Sequence, residues 1–149
     1  MIAAVAPSIH ASTVLVGARA VLIRGPSGSG KSRLTLALIQ SARTAGIGFA
    51  SLVADDRTLI EVCHGRLLAR PVPELAGLLE VHGLGIRRLP YEAVAVVSHV
   101  VDLAVVGASR LPEDSERQGG ISGVILPRLA VTPTADPLAL VLAALTTSP

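Results

Sequence analysis

The chain has almost no aromatic residues. Phe49 and Tyr91 are the two in 149, so its core must be built from aliphatic side chains. Single-stranded nucleic acids are bound by stacking bases on aromatic rings, and two rings cannot make such a platform. The net charge is only +2, and the arginines are scattered rather than gathered into a basic stripe, so no nucleic-acid partner is expected. Cysteine is equally scarce. Cys63 stands alone, which excludes an internal disulfide and fits a reducing, cytoplasmic compartment. Charged residues are 16% and apolar residues 50%, the reverse of a disordered chain. Long hydrophobic runs are missing too. The most apolar stretch, residues 93–107, is interrupted by Ser98, His99 and Asp102 and falls short of the ~20 residues that span a bilayer. At the N-terminus no basic segment precedes an apolar one, and Pro7 and His10 interrupt the run. Neither an export signal nor membrane attachment is expected.

Lysine is the last scarcity: there are twelve arginines and one lysine, Lys31. That lysine lies in Gly25-Pro26-Ser27-Gly28-Ser29-Gly30-Lys31-Ser32, which matches G-x-x-x-x-G-K-[ST] at every fixed position. An apolar segment precedes it and an amphipathic one follows, the strand–loop–helix context the motif requires. Glycines let backbone N–H groups curl around a phosphate, and the helix N-terminus adds its positive dipole end. Lys31 is positioned to bridge β- and γ-phosphates and the Ser32 hydroxyl to ligate Mg²⁺, so ATP and Mg²⁺ are the expected cofactors.

The length is that of one domain, residues 1–149, without repeat or linker. The pattern predicts strands at residues 12–16 and 20–24 joined at Gly17, then a helix over 32–45. A strand over 49–54 and a hairpin of 58–63 with 66–69 follow. Next come a strand at 78–81, a loop at 83–85, a strand over 100–106, a polar loop over 110–123 and a strand at 127–131. Asp136 as N-cap and Pro137 at the first helical position start a helix through Leu145. The fold class is α/β: a mixed sheet with a large antiparallel share and few helices.

Other candidates are single residues. Asp55-Asp56 ends an apolar strand, where ligands of open α/β sheets bind; one carboxylate can face Mg²⁺ or a substrate hydroxyl while the other holds the loop. Glu80 is a lone acid ahead of Gly83 and Gly85. His10 lies fifteen residues before Gly25. Arg110 and Arg117 flank a polar segment, and an arginine near a γ-phosphate stabilises transferring charge. His64, His82 and His99 have no partners at metal-ligand spacing.

In this order the pieces resemble the catalytic domain of the HPr kinase/phosphorylase family, whose members phosphorylate a seryl residue of the phosphocarrier HPr. The resemblance is carried by Ser8-Ile9-His10, the phosphate loop, Leu52-Val53-Ala54-Asp55-Asp56, and Gly77-Leu78-Leu79-Glu80-Val81-His82-Gly83-Leu84-Gly85-Ile86. The last is similar to the family signature E-[IV]-R-G-L-G-I. The resemblance implies a P-loop kinase domain of that type, without the usual N-terminal domain. It implies catalytic roles for His10, Lys31, Asp55 and Arg117, with Arg110 the substitute for Arg117, and Mg²⁺ on Ser32 and Glu80. It also implies an HPr-like partner and a homo-oligomer, a hexamer. Asp55 would take the seryl proton, with Asp56 supporting the strand end or the metal's outer shell. His82 stands where the signature has Arg. Pro127-Arg128-Leu129-Ala130-Val131-Thr132-Pro133 replaces the family's P-V-R-P-G-R, so weak phosphorylase activity is expected. The alternatives are a small-molecule P-loop kinase and a nucleotide-binding regulatory module without transfer activity.

Overall fold

The structure is a computed structural model and describes residues 7–149. The expectation about an export signal falls partly on residues 1–6, outside the described residues. Strands β1 (Ser8–Val16) and β2 (Arg19–Arg24) form an antiparallel hairpin at Gly17, whose φ is 63°. Helix α1 (Lys31–Ser41) follows the phosphate loop. Strand β3 (Ala50–Ala54) precedes a second hairpin, β4 (Arg57–Cys63) with β5 (Arg66–Pro71). Its turn residues, His64 and Gly65, both have positive φ, as two-residue hairpin turns require. A smaller hairpin pairs β6 (Leu78–Val81) with β7 (Gly85–Arg88). Then come β8 (Ala95–Asp102), β9 (Gln118–Ile121), β10 (Val124–Ala130) and α2 (Pro137–Thr146).

All strands but β6 and β7 join one eight-stranded mixed sheet. Strand β1 is its pivot. One edge pairs with β2; on the other, Ser8 to His10 pair with β4 and Thr13 to Val16 with β3. β8 runs parallel to β2 and β10, and its start pairs antiparallel with β5. The strands β1, β4, β5, β8 and β2 therefore close a circuit. Ala11, Leu22, Val53, Ile60, Leu67 and Val100 fill it. A second apolar layer of Val14, Ile23, Leu34, Leu38, Val101 and Val141 joins the sheet to the two helices. Fully burying one such aliphatic side chain contributes about 1.5–3 kcal/mol, so an aliphatic core serves without aromatic rings.

Several boundaries differ from the sequence-based expectations. The strand expected at 100–106 begins at Ala95 and ends at Asp102, because the chain turns at Ala104, where φ is 57°. The expected loop over 110–123 contains a 3₁₀ turn at Asp114–Arg117 and the whole of β9. Here Ser122 and Gly123, both at positive φ, form a hairpin turn that the surrounding polar residues conceal. Gly85 starts β7 rather than closing a loop, since β6 and β7 pair directly through Val81 and Gly85. Helix α1 stops at Ser41, ahead of the turn at Gly46 and Gly48. β1 lies between β2 and β3. The start of α2 is as expected: Asp136 Oδ1 accepts from Leu138 N at 3.0 Å.

Candidate functional site

The phosphate loop leaves β2 and enters α1 at Gly30, whose φ is 99° and which brings no side-chain cap. The first-turn N–H groups of α1 thus lack side-chain partners and face the loop. Added Cβ atoms at Gly28 and Gly30 would meet nothing within 4 Å. These glycines are needed for their left-handed backbone, not for lack of room. Lys31 is buried, and its Nζ donates to the carbonyls of Gly25 (2.9 Å) and Pro26 (3.1 Å). The ammonium is thereby held across the mouth of the loop.

Asp55 and Asp56 separate sharply. Asp55 is 8% exposed. Its Oδ1 accepts from Ser12 Oγ (2.8 Å) and Ser32 Oγ (2.7 Å), and its Oδ2 accepts from the Glu80 backbone N–H at 3.2 Å. Three donors from β1, α1 and β6 therefore converge on one buried carboxylate. Asp56 sits in the left-handed region, with φ 66°, which Asp tolerates better than most residues. Its side chain is 64% exposed and pairs with His10 Nε2 at 2.9 Å. Asp56 lines the cleft over the phosphate loop, and Asp55 lies buried beneath it. Strand β1 connects both pairs. His10 and Ser12 are two residues apart and share one face. Ser12 Oγ also accepts from the Asp56 backbone N–H, at 3.2 Å.

A cleft of about 570 Å³ opens over this arrangement, and His10, Lys31, Ser32, Arg33, Asp56 and Glu80 line it. Glu80 is exposed on β6. Arg117 and Arg110 are elsewhere: they line a separate cavity of about 390 Å³ with Arg128 and His99. The 3₁₀ turn carrying Arg117 is tied to β10, where Arg128 Nη1 donates to the Glu116 carbonyl. Among residues not singled out from sequence, Ser12 and Arg33 enter the site. Ser12 was legible as the same-face neighbour of His10, and Arg33 as the residue after the motif. Arg24, the last residue of β2, is braced by Asp102 through two bonds of 2.7 and 2.9 Å, and Arg128 reaches the same carboxylate. Burial alone would raise the Asp102 carboxyl, but the hydrogen bonds and charges of Arg24 and Arg128 outweigh it and hold it below the usual carboxylate value.

Among the described residues, no three His, Cys, Asp or Glu side chains converge on a metal. Mg²⁺ keeps several waters and binds through one or two carboxylates plus substrate phosphates. Ser32 with Asp55 behind it and Glu80 at the rim fits that mode. No described helix is long and apolar enough to cross a membrane.

Residues 2–98 match the sequence model of a family described as HPr Serine kinase C-terminal domain. The chain is 35% identical over 99 residues to an HPr kinase/phosphorylase of Clostridium tetani, covering 66% of this chain and 30% of that one. It is 29% identical over 136 residues to one of Limosilactobacillus reuteri, covering 83% and 40% respectively. The chain thus spans well under half the length of these curated relatives. The fold is similar to a solved Hpr(Ser) kinase/phosphatase from Coxiella burnetii, with TM-score 0.75 and 23% identity, covering 93% of this chain and 88% of that one.

Proposed function

The chain belongs to the family of the HPr Serine kinase C-terminal domain, and from that premise we propose that it is a P-loop kinase acting in the cytoplasm, transferring the γ-phosphoryl group of Mg-ATP to a seryl hydroxyl of an HPr-like phosphocarrier. The observation that carries this is the assembly of Lys31, Ser32, Asp56 and Glu80 around one cleft, with His10 on Asp56 and Asp55 beneath Ser32. Phosphoryl transfer demands positioning and electrostatic stabilisation more than covalent chemistry from the protein, and these residues supply both. The loop N–H groups and Lys31 hold the β- and γ-phosphates. Ser32 and Glu80 would hold Mg²⁺, and Asp55 orients the Ser32 hydroxyl. Mg²⁺, when bound, neutralises charge developing on the phosphoryl oxygens.

The general base in this proposal is Asp56, not Asp55. A base must reach the hydroxyl proton, and Asp56 is open to the cleft while Asp55 already accepts three hydrogen bonds. His10 orients the Asp56 carboxylate through the 2.9 Å contact. Arg33, which lines the cleft, takes the charge-neutralising role first assigned to Arg117. The homo-oligomer, a hexamer, and a weak phosphorolytic reverse reaction belong to the same proposal.

The test is transfer of label from ATP to purified HPr, with sedimentation of the same sample reporting the oligomeric state. Lys31→Ala should abolish transfer and weaken ATP binding with the fold intact, since the residue lies at a loop–helix junction. Full activity in that variant would overturn the phosphate-site assignment. Phosphorylation of a small hydroxylated metabolite but not of HPr would overturn the substrate.

A further inference from the structure

The site proposed above leaves one charged cluster without a role: Arg24, Asp102 and Arg128, near the C-terminal ends of three adjacent parallel strands. β8 lies between β2 and β10, with Asp102 opposite Arg24 on one side and Ala130 on the other. The Asp102 side chain is 15% exposed. Arg24 reaches it as a fork, Nε to Oδ1 at 2.7 Å and Nη2 to Oδ2 at 2.9 Å. Arg128 Nε donates to Oδ2 as well. The Arg128 stem crosses β9 at Gly119, where a Cβ would meet Arg128 Cδ at 3.3 Å. The two guanidinium groups keep the carboxylate ionised despite its burial. The cleft over the phosphate loop is lined without any of the three.

Arg24 meets the loop through the backbone instead. Gly25 follows it directly and has no room to adjust: a Cβ there would stand 2.5 Å from Ser29 Oγ and 3.1 Å from Leu103 Cβ. Leu103, next to Asp102, donates its N–H to the Arg24 carbonyl at 2.9 Å. The Gly25 carbonyl in turn accepts from Lys31 Nζ at 2.9 Å. An ammonium on a flexible stem takes its place from the carbonyls it rests on. Contacts therefore run without a gap from Asp102 through Arg24 and Gly25 to Lys31. We infer that Asp102 is a positioning residue of the nucleotide site: its hold on Arg24 fixes the entry of the phosphate loop and, through the Gly25 carbonyl, the place of the Lys31 ammonium. The inference rests on the phosphate site proposed above. The fork is what matters in this role, because two parallel bonds fix orientation as well as distance. A lysine would bring the charge without the orientation.

Two other accounts of Asp102 predict different outcomes, and the sign of one effect separates all three. Acting through space, its negative charge would oppose a bound triphosphate, and Asp102→Asn would bind Mg-ATP more tightly. As a brace of the sheet alone, Asp102→Asn would unfold at lower urea and bind Mg-ATP unchanged. Positioning predicts binding weaker by at least about tenfold, since the new amide turns an N–H toward guanidinium donors and the fork is lost. Calorimetric titration of the purified chain with Mg-ATP at neutral pH, beside the urea midpoint of the same sample, reads this. Arg24→Lys keeps the charge but not the fork and should show the same loss, and it decides the matter if Asp102→Asn does not fold. Arg128→Gln removes the other partner and leaves the fork; it should bind Mg-ATP within about twofold of the unmutated chain, as a site outside these contacts does. Tighter or unchanged binding by Asp102→Asn, full binding by Arg24→Lys, or an equal loss in Arg128→Gln would overturn the positioning role while the phosphate site stands. If the unmutated chain does not bind Mg-ATP, the phosphate site itself fails, and this inference with it.

Discussion

Asp55 and Asp56 are neighbours in the chain with opposite environments, and the difference decides their chemistry. One is buried and saturated with donors; the other is exposed and faces a histidine. Asp56→Asn should therefore bind Mg-ATP nearly normally and lose about 10²–10⁴-fold in transfer rate, the usual scale of general-base catalysis. Asp55→Asn should act differently. Its one oxygen can still accept from Ser12 and Ser32, but its amide nitrogen then meets the Glu80 backbone N–H, donor against donor, so the variant should disturb Ser32 and Glu80 and raise the Mg²⁺ concentration needed for half-maximal rate. Steady-state rates over a Mg²⁺ series distinguish the two; identical profiles would remove the division of labour. Which aspartate does which was not readable from sequence. A strand end presents adjacent side chains to opposite faces, and only the pairing of β1 with β3 and β4 determines which face is the cleft.

At the scale of elements, the β6–β7 hairpin brings Glu80 to the site, and Gly77 sets its approach. Gly77 has φ 75°, and a Cβ there would meet Tyr91 Cδ1 at 2.9 Å and the Leu89 carbonyl at 3.1 Å. The Leu89 N–H closes the base of the hairpin on the Gly77 carbonyl at 2.8 Å. Gly77→Ala combines a left-handed alanine with a contact the backbone cannot relieve, so it should cost about 1–3 kcal/mol. For a domain of this size each kcal/mol lowers Tm by about 2–4 °C. Thermal unfolding should report that fall, and an unchanged Tm would mean the hairpin base can shift freely. The pairing of Tyr91 with Leu52 explains why residues 91–99 give no clear periodicity. They form an irregular crossing and then the start of β8, two environments within one apolar run.

For the whole molecule, two titrating groups make stability fall with acid. The half-buried His99 lies below the ordinary histidine value of 6.5, chiefly through burial and secondarily through the charge of Arg19. A depressed histidine favours the fold while neutral, so its contribution is present above pH 6.5 and is lost as pH falls from there to the folded value. Asp102 lies below 3.8: burial opposes the shift, and the bonds and charges of Arg24 and Arg128 prevail. Its contribution is present above pH 3.8 and is lost as pH falls to the folded value. Urea midpoints across pH should thus decline in two stages, first below about pH 6.5 and again below about pH 3.8. His99→Gln should remove the first stage and Asp102→Asn the second. A single stage unaffected by either variant would assign the acid sensitivity elsewhere.

The local elements were legible because their signals are local. The phosphate loop, the Gly17 and His64-Gly65 turns and the Asp136-Pro137 helix start each depend on a few adjacent residues whose backbone preferences act before any packing. The family resemblance was legible for a related reason: its motifs are short and keep their order. The tertiary structure alone decided the rest. It placed β1 between β2 and β3, so that His10 and Ser12 reach Asp56 and Asp55 from forty-odd residues away. It set Arg117 in a separate cavity and Arg33 at the cleft. Contacts of that range follow from sheet order and register, which arise when distant strands bury apolar faces against one another and which no window of neighbouring residues contains.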